Sequence, residues 1–101
     1  TTNVVEGRPV QEYLGVINAQ SIIGANIFKD IFAGLRDVFG GRSKTYERVL
    51  EQAKEDALRE LAEKAQALGA NGVIGVDLDF ETIGSGGSML MVIATGTAVR
   101  L

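Results

Sequence analysis

The sequence predicts an α+β fold in two layers, ordered β-α-α-β-β, with a three-stranded, mainly antiparallel sheet and the helices on one face of it. Three observations lead there. Apolar residues recur at helical spacing over about six turns from Tyr46 to Leu68. Strict alternation follows from Val76 to Glu81. A glycine-rich break, Gly84-Ser85-Gly86-Gly87, then leads into a second β-rich run.

Each element has its own local cause. Glu6-Gly7-Arg8-Pro9 reads as a turn. Val10 to Ile23 is rich in Val, Ile, Tyr and Leu and poor in charge, which predicts a strand, bent at Gly15 or near Asn18. Gly24-Ala25-Asn26 interrupts it, and Asn26 is a suitable helix N-cap. Ile27, Phe28, Ile31, Phe32, Leu35, Val38 and Phe39 then follow at helical spacing, giving a short helix with a wide apolar face. Gly40-Gly41 ends that helix, and Ser43 can cap the next.

The second helix carries Tyr46, Val49, Leu50, Ala53, Ala57, Leu61, Ala65 and Leu68 as one stripe. Glu55–Arg59, Arg59–Glu63 and Glu60–Lys64 are opposite-charge pairs four apart on its wet side. Gly69 stops it and Asn71-Gly72 turns the chain. Val73–Ile83 and Ser88–Leu101 form the closing hairpin across Gly84–Gly87. Met89 to Ala94 is apolar at every position, so that strand is apolar on both faces.

Composition narrows the function. A chain of 101 residues suits a single domain spanning 1–101. It has neither Cys nor His. Disulfides, thiolate chemistry and Ser-His or Cys-His nucleophile pairs are therefore impossible within it. The usual ligands for zinc, copper and nickel are missing too, so no soft metal is expected. Net charge is −3, and the last thirty residues hold one base, Arg100, against Asp77, Asp79 and Glu81. Without a basic stripe, neither nucleic acid nor an anionic membrane is expected as a partner. No apolar run approaches the roughly 18 residues of a membrane span. No basic-then-apolar leader is visible, so a cytoplasmic protein is expected. The chain opens on Thr1 rather than Met, which leaves a preceding segment open.

Four candidate sites can be weighed. Gly40-Gly41-Arg42-Ser43 precedes a helix and could hold an anion, but it lacks the phosphate-loop spacing and reads as a helix–helix turn. Asp77, Asp79 and Glu81 share one face of a strand, roughly 6.5–7 Å apart. Carboxylates suit hard cations, but that spacing is too wide for one ion to reach all three without ligands from elsewhere. The favoured reading is the solvated polar face of a half-buried strand. Met89 and Met91 share a face and could offer thioethers to copper(I), yet they lack supporting Cys or His and suit packing better. Tyr13, Tyr46, Glu12 and Glu47 are scattered, so no catalytic set is visible and no enzyme is expected.

Several segments carry a family resemblance. They are Glu6-Gly7-Arg8, Glu12-Tyr13-Leu14-Gly15-Val16, Gly24-Ala25-Asn26, Phe28-Lys29-Asp30, Phe32-Ala33 and Arg36-Asp37. Gly40-Gly41-Arg42-Ser43, Tyr46-Glu47, Leu68-Gly69-Ala70-Asn71 and Gly75-Val76-Asp77 with Asp79 continue the series. Gly87 to Val92 and Gly96-Thr97-Ala98-Val99 complete it. Together they resemble the YbjQ-like family of small bacterial proteins over nearly the whole chain. The resemblance implies a dodecin-like subunit assembled as a pentameric ring, under a heavy-metal-binding label. It brings no catalytic residues. Gly72 and Phe80 depart from the family's usual Ala and Tyr.

Two functions follow as expectations. One is a homo-oligomeric ring that holds a cation or small ligand at its junctions, with Asp77, Asp79 and Glu81 the first candidates. The other is a ring that serves as a scaffold with no ligand of its own. Surplus apolar surface supports self-association in both, because two helices can cover only one face of a small sheet.

Overall fold

The computed structural model describes residues 5–27, 44–84 and 86–101. Its elements are β1 (Glu12–Ile23), α1 (Lys44–Ala67), β2 (Gly72–Ile83) and β3 (Met89–Arg100). After Gly24, residues 25–27 are helical, so Asn26 lies inside the first turn instead of capping it. The remainder of the first expected helix, the Gly40-Gly41-Arg42-Ser43 turn and the Tyr46 side chain lie outside the described residues.

The three strands form one antiparallel sheet in the order β1-β3-β2. β2 and β3 are joined by the expected tight loop, where Gly87 N–H donates to the Gly84 carbonyl over 3.2 Å. Gly84, Gly86 and Gly87 all have positive φ, a conformation glycine adopts without penalty. β1 returns to the far side of β3, so the most apolar strand is central and the first strand is an edge.

α1 ends as its sequence dictates. Gly69 has φ 84°, its N–H donates to Gln66 O, and Ala70 N–H donates to Ala65 O. This pair of bonds is the Schellman arrangement, which satisfies the last carbonyls of a helix. The Arg100 guanidinium donates to Gly69 O over 2.9 Å. Asn71 then acts as a short extension of the sheet. Its N–H donates to Val99 O, and its side-chain oxygen accepts from Leu101 N–H over 2.7 Å.

One face of α1 packs on the sheet. Ala53, Ala57 and Leu61 are buried against Ala19, Ile23, Val92 and Ala94, with Ile17, Val49, Leu50, Val73, Val76, Leu78 and Leu90 around them. Lys64 reaches from the helix to donate to Asn18 O on β1 over 2.7 Å. The helix thus leans toward β1 and β3, and Phe80 on β2 stays 46% exposed although it shares the helix-side face. Alternation assigned Phe80 to the covered face correctly, but coverage by α1 does not reach that far across. On the wet side, Glu60 and Lys64 lie 3.9 Å apart as expected. Arg59 pairs with Asp56 at 2.7 Å instead of with Glu55 or Glu63. A partner three residues back lies equally close on a helix surface.

Two irregularities shape the sheet. β1 has a bulge between Tyr13 and Gly15, at the glycine where the sequence suggested a bend. β2 has another between Ile74 and Asp77, with Gly75 at φ 60°. Val73 and Val76 both end on the helix side, closing around Gly96 of β3. A β-carbon on Gly96 would sit 2.7 Å from Val73 Cγ1 and 3.3 Å from Val76 Cγ2. We therefore expect Gly96→Ala to destabilise the fold by about 1–3 kcal/mol, the usual cost of overpacking a tight site. Denaturant unfolding checks this. An unchanged midpoint would mean that the bulge can open freely.

Candidate functional site

Opposite α1 the sheet presents its second face. Strand alternation and register assign to it Ile74, Asp77, Asp79, Glu81 and Ile83 from β2. β3 contributes Met89, Met91, Ile93, Thr95 and Thr97, and β1 contributes Val16, Asn18, Gln20 and Ile22. Val16 is 74% exposed and Ile22 is 53% exposed, while Met89, Met91 and Ile93 are half-buried. The apolar face expected from Met89–Ala94 is therefore present among the described residues, and β1 extends it.

The acidic ladder stands along the β2 side of this face. Asp77, Asp79 and Glu81 are all exposed and point the same way, as alternation predicts. Asp77 and Asp79 interact directly. A hydrogen bond with the Asp77 carboxyl, and then its negative charge, hold the Asp79 carboxyl above the usual carboxylate range, with smaller contributions from desolvation and Glu81. The ladder is thus an interacting pair plus a more distant third member. Among the described residues, no three acidic side chains form a group that could hold a metal ion.

Sequence reasoning missed what lies across β3 from the ladder. Thr95 pairs with both Asn18 and Asp77, and Ile93 pairs with both Gln20 and Asp79. Two carboxamides on one edge strand therefore stand level with two carboxylates on the other. Only the strand order reveals this, because Asn18 and Asp77 are 59 positions apart in sequence.

Two other features were weighed. Met89 and Met91 do share a face, but their neighbours in register are Ile22, Ile83 and Glu81, which offer no further soft donor. An open depression of about 640 Å³ lies between the end of α1 and the start of β2, lined by Arg59, Glu63, Gln66, Asn71 and Val73 among others. Two of its polar side chains are already engaged: Arg59 with Asp56, and Asn71 with Leu101.

The family model described as "Putative heavy-metal-binding" matches residues 1–101. The chain belongs to the YbjQ-like family. It is also similar to the crystal structure of a protein of unknown function from Pediococcus pentosaceus that belongs to the DUF74 family. That protein is 19% identical, the match covers 89% of this chain and 84% of that one, and the TM-score is 0.61. At this identity the likeness establishes the α+β fold.

The heavy-metal description can be tested against the donors present. Heavy metals of the zinc, copper and cadmium type are held tightly by thiolate and imidazole. This chain has neither in 101 residues. Its donor set does not fit such ions, and oligomerisation would only repeat the same deficit.

The Asp77–Asp79 pair yields a pH prediction. A carboxyl whose folded-state pKa is raised binds its proton more tightly in the folded protein. Its contribution to stability is full below the unfolded pKa and is lost as pH rises through the folded one. Asp79→Asn should therefore leave the denaturant midpoint unchanged in acid and unchanged or higher at neutral pH. In carboxyl-carbon NMR titrations, Asp79 should titrate above an ordinary Asp and fall back toward it in Asp77→Asn. A clear loss of stability in Asp79→Asn at neutral pH would show that the carboxylate is paired with a cationic group instead.

Proposed function

We propose that this chain works in the cytoplasm as a self-associating, non-enzymatic module, a ring of copies numbering five as the family resemblance implies. The observation that carries this reading is apolar surface on the second sheet face. Ile22 is more than half exposed and registers on Met91, with Met89 and Ile93 half-buried next to it, and Val16 is exposed farther along beside Thr97. Contiguous apolar surface of that kind on a small chain commonly marks an interface. The two outer strands of the described sheet, twelve residues each, add long edges that association would protect. The lack of Cys suits a reducing compartment, and the lack of Cys and His, with no convergent catalytic set among the described residues, supports a non-enzymatic role.

Gel filtration coupled to light scattering tests this directly. At micromolar concentration the expected mass is five times 10.7 kDa. A mass of 10.7 kDa would remove the reading.

The Asp77–Asp79 pair favours a second reading of the same ring: a hard, oxygen-seeking cation held at a junction between copies. Two carboxylates that already compete for a proton gain from a positive ion, and a neighbouring copy can supply the oxygens one chain lacks. Calorimetry with magnesium, calcium and manganese should then show weak binding that disappears in Asp77→Asn/Asp79→Asn and fades in acid. Zinc and cadmium should not bind below micromolar concentration. Stoichiometric, sub-micromolar binding of either, surviving the double substitution, would contradict the choice of a hard ion over a soft one.

A further inference from the structure

Asparagine occurs at Asn3, Asn18, Asn26 and Asn71, and the residues that follow are Val4, Ala19, Ile27 and Gly72. The following residue governs how readily an asparagine reacts with its own backbone. The reaction begins when the next peptide nitrogen attacks the side-chain amide carbon, and a side chain on the next residue hinders that approach. Glycine has none and lets the backbone turn freely. Asn71-Gly72 is the one asparagine–glycine step in the chain, and no aspartate precedes a glycine. Asn71 is exposed to water, and Gly72 is half-buried at the start of β2.

The fold restrains this step. One residue holds the Asn71 carboxamide at both ends: Oδ1 accepts from Leu101 N–H over 2.7 Å, and Nδ2 reaches Leu101 O over a longer 3.4 Å. On the main chain, Asn71 N–H donates to Val99 O over 3.1 Å and Ala70 N–H donates to Ala65 O over 3.0 Å. Leu101 also lies over Gly72, where a β-carbon would sit 3.2 Å from Leu101 Cδ1. Ring closure requires the carboxamide to leave Leu101 and swing onto the Gly72 nitrogen. It also requires the peptide between them to turn out of the extended course of β2. Both movements break bonds that the folded chain has made. We propose that Asn71 is a self-modification site, a deamidation that the clamp between Asn71 and Leu101 holds back while the joint between α1 and β2 is folded. The site needs no second copy and no metal.

When the clamp opens, the Gly72 nitrogen gives its proton to solvent base and bonds to Asn71 Cγ. The Cγ–Nδ2 bond breaks, and Nδ2 takes a proton from water and leaves as ammonia. Water then opens the five-membered imide at one of its two carbonyls. Breaking the Cγ–N bond gives aspartate. Breaking the other carbonyl–nitrogen bond gives isoaspartate, whose main chain runs through Cβ and Cγ. The net change is asparagine plus water to acid plus ammonia, with nothing oxidised or reduced. Aspartate replaces the Nδ2 donor with a charged oxygen facing Leu101 O. Isoaspartate adds a carbon to the main chain where Asn71 joins the sheet through Val99 O. Either product weakens the hold on the end of β3, where Arg100 also ties back to Gly69 O.

Peptide mass spectrometry on the full chain, kept in mildly alkaline buffer and sampled over time, reads the rate at each asparagine. Enzymatic carboxyl methylation scores the isoaspartate formed. In urea, Asn71 should convert many times faster than Asn3, Asn18 and Asn26, and Gly72→Ala should remove that excess. In native buffer, wild-type Asn71 should convert many times more slowly than in urea. Leu101→Pro removes the N–H that holds Oδ1, and should raise the native rate at Asn71 several-fold with the fold confirmed by circular dichroism. Equal rates at Asn71 in native buffer and in urea would overturn the proposal, as would a folded Leu101→Pro protein that keeps the wild-type rate. The comparison between native buffer and urea uses the wild type alone, so it holds even where Leu101→Pro does not fold.

Discussion

Small side chains at the contact between α1 and the sheet decide how closely the two layers approach. Ala53 and Ala57 on the helix meet Ala19 and Ala94 on the strands, with Leu61, Ile23 and Val92 filling the space between. Alanine brings no bulk, so the helix lies low over β1 and β3, where Lys64 also reaches the Asn18 carbonyl. In that position α1 meets β2 only through Val73, Val76 and Leu78, and Phe80 is left half in water on the same face.

The sheet adds a second constraint. Gly96 accepts the crowding of Val73 and Val76 because it has no side chain of its own. The bulge at Gly75 rephases β2, so that Ile74 and then Asp77, Asp79 and Glu81 all stay on the far face while Val73 and Val76 face the helix. Without the extra residue, the ladder and Val73 would fall on the same side. One backbone irregularity therefore keeps three carboxylates out of the core and aligned along an edge.

Much of this could be read from sequence because the signals are local. The stripe from Val49 to Ala65, the stop at Gly69, the alternation from Val76 to Glu81 and the loop at Gly84–Gly87 each depend on residues a few positions apart. What could not be read is non-local. Nothing in Glu12–Ile23 says that it pairs with β3 instead of β2, and that choice alone sets Asn18 level with Asp77 and Gln20 level with Asp79. The exposure of Phe80 depends on where α1 leans, and the choice of Asp56 by Arg59 depends on rotamers rather than spacing. The acids were legible as a ladder; the carboxamides opposite them were invisible until the strand order was known.

A carboxylate pair on an outer strand can attract a hard cation, which does not need the thiolate or imidazole this chain lacks. The claim on which the rest stands is that copies of the chain associate. The mass of the wild-type protein, followed by light scattering through a dilution series from micromolar concentration, measures it most directly. A multiple of 10.7 kDa is the predicted result, and 10.7 kDa throughout would contradict it.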